Sequence, residues 1–401
     1  MRILIVTQYF YPEFFKSTDL AVELKKRGHN VEALVGIPNY PQGKYFKGYG
    51  IFRKRQEIYE GVKIHRVFQF PRGKKSSIGM ILNYFSYALN ASLWTIFFAC
   101  FKRRFDKIIV FQTSPIMQAH PAVVYKKLRG TPIYLWVLDI WPDAMKNVRG
   151  FNSSNLLNIM TRYAQWVYNN SYKILISSKG FRDLILRHGK YENKITYYPN
   201  WSDDIGLMPK KETPPLPEGF KIMMAGNLGS AQTIRAVMKA AELLKDKKEV
   251  KWIFVGDGSE REYIDKFRDE HNMQETIYVM GRHPFDCMSA FYSQADAMLI
   301  TLRAKYPHNK AVVPARLQSY MSSGKPILGM IDGGSADMIK EADCGLTVPA
   351  EDYQGLADLI IKEVLPNRDS FSKKGENGRK YFLKHFTKEL CINNIEKILT
   401  D

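Results

Sequence analysis

Cysteine is scarce in this 401-residue sequence, which holds four, at Cys100, Cys287, Cys344 and Cys391. They make no Cys-x-x-Cys pair and fall in segments that read as buried helix or strand, so neither a disulfide framework nor a zinc site is expected, and a reducing cytosol fits best. No Asp-x-Asp motif stands in a strand-end loop, and the pair Asp203-Asp204 falls in a proline-rich stretch. A carboxylate-held Mg²⁺ or Mn²⁺ is therefore not expected, and no cofactor is. There is no room for a secretory signal, because Met1–Ile5 opens directly into a strand. Acidic residues are short in the first half: residues 1–200 carry 31 Lys and Arg against 11 Asp and Glu, whereas residues 201–401 carry 28 against 29.

What is present is a globular composition, 45% apolar, with a net charge of +19. The length exceeds what one hydrophobic core organises, so two domains are expected. A basic first half points to a polyanion, whether nucleic acid, an anionic leaflet or a phosphorylated substrate, and a long-range field does not choose among them.

The apolar, β-branched run Ile3–Thr7 reads as a strand, a helical pattern from Thr18 to Arg27 stops at Gly28, and Val31–Val35 is a second strand. Alternation continues through Lys107–Phe111 and Ile133–Leu138. A second cycle starts at Ile222, Met223 and Met224 and runs through a helix to Leu244, then strands at Trp252–Val255, Ile277–Val279, Ala297–Ile300 and Pro326–Met330. The class expected is α/β, with two Rossmann-like domains facing each other across a cleft and ligands beyond the carboxyl ends of the strands. Prolines 199, 209, 214, 215 and 217 mark residues 199–219 as the linker between a first domain, 1–198, and a second, 220–401, whose last helices are expected to pack back on the first.

From Ser76 to Phe101 no residue is charged, and 80–101 is rich in aromatics. Its length nearly spans a bilayer. Asn83, Ser86 and Asn90 recur at helical spacing, however, and basic flanks stand on both sides, Arg72, Lys74 and Lys75 before and Lys102, Arg103 and Arg104 after. Three readings stay open, namely an interfacial helix on an anionic leaflet, a core helix and a true span, and the pattern looks interfacial. The Lys and Arg do not interleave with aromatics along a recognition surface, so nucleic acid is not the expected partner.

Strand ends in the second half carry glycine: Gly226-Asn227-Leu228-Gly229-Ser230, Val255-Gly256-Asp257-Gly258 and Gly281-Arg282-His283-Pro284. Such turns let backbone N–H groups approach a phosphate at a helix amino terminus. Further on, Arg316 suits two oxygens of a diphosphate, and Gly333-Gly334-Ser335 opens a helix whose amides suit the rest. Equally, Arg316 pairs with a surface carboxylate and the glycines only cap helices. In the first half, Asp139, Trp141 and Asp143 follow a strand, either as site carboxylates or as turn caps. Glu13, Asp19, Asn39 and Tyr40 follow the first two strands. His120 is a lone histidine of the kind that is usually structural.

The second domain resembles the donor domain of glycosyltransferase family 4, of GT-B fold. Tyr11-Pro12-Glu13, Arg27-Gly28-His29, Gly36 to Pro41, Trp136 to Asp143, Ser178 to Phe181, Tyr198 to Trp201, Gly226 to Gly229 and Val313 to Arg316 together resemble the O-antigen and capsule L-fucosamine transferases over nearly the whole chain. The resemblance implies a retaining enzyme without bound metal. It implies a UDP-linked N-acetylated 6-deoxyhexosamine as donor and a lipid-diphosphate-linked saccharide as acceptor, at the inner face of the cell membrane. Asp139, Asp143 and Arg316 become catalytic candidates. Gly226, Asn227, Gly229, Asp257, Arg282, Lys310, Gly334 and Ser335 become donor contacts, and Glu13, Asp19, Asn39, Tyr40 and Trp141 acceptor contacts. The chain departs from the family where two glutamates separated by seven residues are usual, since Ala311 and Ser319 stand there, and Gln232 stands where a lysine is common. Diphosphate neutralisation is thus expected of Arg316, with Arg282 or Lys310. A UDP-sugar 2-epimerase of the same fold and a basic nucleic-acid-binding protein are the competing readings.

Overall fold

The short β-branched and aromatic runs form two parallel sheets, described in a computed structural model for all residues except 14, 74–76, 148–152 and 304–306. By its contacts the chain divides into two units, Met1–Pro199 with Ile392–Asp401, and Asn200–Cys391.

Unit 1 holds strands β1 (Arg2–Val6), β2 (Asn30–Gly36), β3 (Gln56–Tyr59), β4 (Val62–Val67), β5 (Lys107–Gln112), β6 (Ile133–Val137), β7 (Lys173–Ile176) and β8 (Ile195–Tyr197). Their order is β3-β4-β2-β1-β5-β6-β7-β8, parallel except for the β3–β4 hairpin. Unit 2 holds β9 (Phe220–Asn227), β10 (Val250–Asp257), β11 (Ile277–Gly281), β12 (Ala297–Thr301), β13 (Ile327–Met330) and β14 (Gly345–Val348), in the order β11-β10-β9-β12-β13-β14. In each sheet the order reverses beside the first strand, β1 against β5 and β9 against β12, which is where open sheets bind ligands. Unit 2 is buried on both faces of its sheet: Ile222, Met224, Trp252 and Phe254 face one apolar core, Met223, Ala225, Ile253 and Val255 the other. That double burial is why these strands read as unbroken apolar runs.

The expected strands all form, within a few residues of the ends read from sequence, and the helix expected over 18–27 runs Lys16–Lys26. The hairpin β3–β4 was not expected, because its sequence is charged. Its charges are compensated instead. Glu32 on β2 accepts from Arg2 of β1 at 2.9 Å and pairs with His65 of β4 at 2.8 Å, and the fully buried Arg66 side chain pairs with Glu57 of β3 at 2.7 Å. Burial alone would push the Glu32 carboxyl up, but the hydrogen bonds from His65 and Arg2 hold it below its usual range. Residues 200–219, read as linker, are fixed to unit 2. Ile205 is buried in the second core, its amide donates to Ser322 Oγ at 3.2 Å, and Asp204 binds the Arg379 guanidinium.

The uncharged run becomes one helix, Ser77–Phe101. At about 1.5 Å per residue its 25 residues would cross a bilayer core of about 30 Å. Its polar residues, however, face the protein. Asn83 is fully buried, donating to Phe70 O at 2.6 Å and accepting from Gln8 Nε2 at 2.6 Å. Gln8 also donates to Gln69 Oε1 at 2.9 Å, and Gln69 donates to Ile37 O at 2.7 Å. Ser86, Ser92 and Thr95 are buried beside it, and Trp94 packs between His65 and Phe98. This corrects the interfacial pattern read from Asn83, Ser86 and Asn90, whose polar stripe looks inward. The outward stripe is Ile78, Ile81, Leu82, Phe85, Leu89, Leu93, Ile96, Phe97 and Phe101, all exposed. The helix thus has a polar face packed on unit 1 and an apolar face left exposed. Lys74 and Lys75 lie outside the described residues.

Asn83→Ala leaves Gln8 and the Phe70 carbonyl without their buried partner, at about 2–3 kcal/mol. A calorimetric melting temperature lower by about 5–10 °C is expected. Leu89→Gln, on the exposed stripe, should stay within about 0.5 kcal/mol of the parent.

Candidate functional site

In unit 1 the loops after β1, β2, β5 and β6 bring side chains to one edge of the sheet. The Glu13 carboxylate, buried beneath them, accepts from the backbone amides of Phe10 (3.2 Å), Asn39 (2.8 Å) and Tyr40 (2.7 Å). Burial pushes its pKa to about 7 in spite of these donors. Asn39 is fully buried, its Nδ2 donating to Ile37 O at 3.0 Å and its Oδ1 accepting from the Arg72 amide at 3.1 Å. Glu13 and Asn39 therefore lock loops together. Their polar groups are thus engaged within the protein. Asp19 pairs with Lys16 at 3.5 Å in the first turn of its own helix. Tyr40 remains exposed, tilted against Tyr9, with the Arg72 guanidinium 5.7 Å from its ring centroid and 5.9 Å from that of Tyr84. Among the described residues Arg72 pairs with no carboxylate, and the buried Tyr9 hydroxyl has no hydrogen-bond partner.

Asp139 follows β6. Its carboxylate accepts a short hydrogen bond from the Ser114 hydroxyl, and Trp141 Nε1 donates to the same Ser114 Oγ at 2.9 Å. Burial pushes Asp139 up to about 6, against the Ser114 hydrogen bond and the Ile140 amide, which pull it down. Asp143 opens the turn Asp143–Asn147. Beside this group lies a cavity of about 300 Å³ lined by Arg72, Met80, Tyr84, Ser114, Trp141 and Met160, among others. The sequence reading missed Tyr9, Arg72, Tyr84 and Ser114 as site residues. Tyr9 and Ser114 do stand just past strand ends, a usable signal, but Arg72 and Tyr84 arrive from a loop and a helix distant in sequence. The His120 ring is hydrogen-bonded to the Tyr163 hydroxyl at 2.9 Å and packs on Trp166.

In unit 2 the parallel register sets Gly256 beside Gly226 and Asp257 beside Asn227. A Cβ on Gly256 would stand 1.9 Å from Gly226 O, so only glycine lets these two turns close. Arg316, from the helix Ala315–Ser322, lies over them. Its Nη2 donates to Asn227 O at 3.3 Å, its guanidinium carbon is 3.9 Å from where a Gly226 Cβ would be, and its Nη1 is buried without a partner. Among the described residues it forms no ion pair, so the reading in which it meets a surface carboxylate is set aside. Gly229 follows, a Cβ there meeting Asn227 Nδ2 at 2.8 Å.

The other expected donor contacts divide. Lys310 pairs with Asp332 at 3.1 Å, which offsets its charge. Gly333, at φ +63, would place a Cβ 2.1 Å from Lys310 O. The following Gly334–Glu341 helix thus starts against that segment. Ser335 is fully buried and its hydroxyl donates to Val312 O at 3.3 Å, so the capping oxygen expected of it is turned inward. Asp257 is exposed and accepts from the Gly258 amide at 2.9 Å; Arg282 is exposed just past β11. An unpaired guanidinium over a glycine turn fits an oxyanion pair such as a diphosphate.

Residues 209–381 match the model of the family Glycosyl transferases group 1, so that segment is similar to group 1 glycosyl transferases. A putative colanic acid biosynthesis glycosyl transferase, WcaI, of Escherichia coli (strain K12) is 23% identical over 382 residues, 90% of this chain and 89% of that protein. A GDP-mannose-dependent alpha-mannosyltransferase of Corynebacterium glutamicum is 24% identical over 384 residues, 91% of this chain and 79% of the relative. The crystal structure of Anabaena Alr3699/HepE in complex with UDP and glucose superposes with a TM-score of 0.70 at 13% identity, covering 100% of both chains. The fold is GT-B.

The raised pKa of Asp139 has a testable sign. A carboxyl whose folded pKa lies above its unfolded value stabilises below the unfolded pKa, and that contribution is lost as pH rises through the folded one. From pH about 4 to just above 6 the parent should therefore lose on the order of 2 kcal/mol relative to Asp139→Asn in urea unfolding. Parallel stability curves for the two proteins would contradict the assignment.

Proposed function

We propose that the chain is a retaining glycosyltransferase of polysaccharide assembly that moves a sugar from a UDP donor to a lipid-diphosphate-linked saccharide at the inner face of the cell membrane. The observation that carries the donor half is Arg316, unpaired over the Gly226-Asn227 turn within the segment matched to group 1 glycosyl transferases. A guanidinium and backbone amides stabilise the negative charge that grows on a departing diphosphate, which is the largest electrostatic demand of the reaction. No metal is needed in this reading, since arginine and backbone dipoles offset the charge. The UDP-bound neighbour supports UDP as the donor nucleotide, and the motif resemblance supports an N-acetylated 6-deoxyhexosamine as the sugar.

On the acceptor half, Asp139 is mostly ionised at neutral pH with a pKa about 6, and its link to Ser114 and Trp141 fixes its direction. It orients the acceptor hydroxyl and is able to take its proton, while the departing phosphate is the other base available. Tyr40 and Trp141 supply aromatic faces for a sugar. Membrane attachment is supported by the exposed apolar stripe of Ser77–Phe101, with Arg72 at one end and Lys102, Arg103 and Arg104 at the other. Basic residues near an anionic leaflet contribute about 1 kcal/mol each.

Two measurements test this. In a melting panel of UDP, GDP, ADP and CMP, UDP alone should stabilise, by about 2.7 kcal/mol at a hundredfold excess over its Kd, and Arg316→Ala should remove the shift. Selective stabilisation by GDP would overturn the choice of base, and silence from all four would overturn the donor reading. In sedimentation with phosphatidylglycerol vesicles, the parent should pellet at low salt, and the double change Leu89→Glu and Phe97→Glu should leave it in the supernatant. Equal retention of both proteins would remove the stripe from the membrane reading.

A further inference from the structure

The cavity beside Asp139 is not explained by sugar chemistry. Its walls are almost wholly apolar, with Met80, Met117, Met145 and Met160 among the lining residues, yet it reaches Ser114 and Trp141, the residues that hold Asp139. A saccharide needs polar partners on most sides, and these walls offer few. Thioether side chains instead adapt to irregular, methyl-bearing apolar shapes.

We propose that this cavity receives the first prenyl units of a phosphorylated lipid acceptor, with Arg72 meeting the phosphate. The inference rests on the transferase reading above and deepens its acceptor half. Size agrees, since a cavity of about 150 Å³ holds a six-carbon ring, so about 300 Å³ accommodates roughly ten carbons, the length of two prenyl units. Charge agrees as well. The Arg72 guanidinium lines the cavity, held by Met80 Sδ at 3.2 Å and by the Tyr40 and Tyr84 rings, and pairs with no carboxylate among the described residues. Continuity supplies the third argument. Ile81 and Phe85 belong both to the cavity lining and to the exposed stripe of the long helix. An apolar chain therefore passes from the stripe into the cavity without crossing a polar barrier, and its phosphate is left at the rim near Asp139.

The test uses the full-length chain and farnesyl diphosphate, with inorganic diphosphate as the head group alone, followed by tryptophan fluorescence because Trp141 lines the cavity. The prenyl probe should bind at least about tenfold tighter than inorganic diphosphate, since each buried methylene adds affinity. Ala144→Phe and Met117→Trp, which fill the cavity from two elements, should each erase that preference, and Arg72→Gln should weaken both probes. The UDP melting shift of each variant reports that unit 2 is folded and binding. Equal affinity for the two probes, or a full preference in both filled variants, overturns the cavity assignment while the UDP shift leaves the donor reading standing. A loss caused by Leu93→Glu on the stripe, with none from Ala144→Phe, also overturns it, by placing the chain on the helix surface.

Discussion

Much of unit 1 depends on the buried amide chain Gln8, Gln69 and Asn83. Amides placed inside an apolar shell are tolerated when hydrogen-bonded, and here each side-chain NH2 donates to another amide or to a backbone carbonyl, while Gln8 Oε1 has no partner among the described residues. Because Asn83 must face inward to join that chain, the apolar residues a turn away have to face outward. One polar requirement thus sets the rotation of a 25-residue helix and exposes a surface that an aqueous protein would normally cover. The same chain ties the helix to the loop after β1 and the approach to Arg72, so the apolar face and the acceptor-side residues are positioned together.

The two units solve different electrostatic problems on similar sheets. Unit 2 sets the Arg316 guanidinium, which forms no ion pair among the described residues, over backbone that only glycine permits. Unit 1 does the reverse, burying carboxyls until their proton affinity approaches neutrality. Glu13 uses this for structure, bound on its oxygens by three amides, whereas Asp139 has a hydroxyl and an indole aimed at its surroundings. Similar burial therefore yields a clasp in one loop and a reactive candidate in another, and the partners decide which.

The parallel sheets were legible because strands buried on both faces are written as plain apolar runs, and the glycine turns because close approach admits no other residue. The hairpin Gln56–Val67 was not legible: His65 and Arg66 look like surface residues until Glu32 and Glu57 are found beside them. The helix face was misread for a related reason. Helical spacing shows that Asn83 and Ser86 share a side, but which side is wet depends on Gln8 and Gln69, far off in sequence. The proposed function rests on Arg316, Asp139, Tyr40 and Trp141. Lys310, Ser335, Glu13, Asn39 and Asp19 had the right chemistry but were engaged by partners that the one-dimensional pattern does not display.

The last ten residues return to the first unit, where Ile392, Ile395 and Leu399 are buried and Glu396 joins Arg27 and His29. In genetic terms the first unit is thus not a contiguous cassette. A recombination that exchanged everything after residue 199 would supply a foreign tail to a home core, so second units can be traded cleanly only with a second breakpoint near residue 391. Inheritance of the first unit's sequence should therefore track the tail more closely than the 192 residues that separate them on the chain.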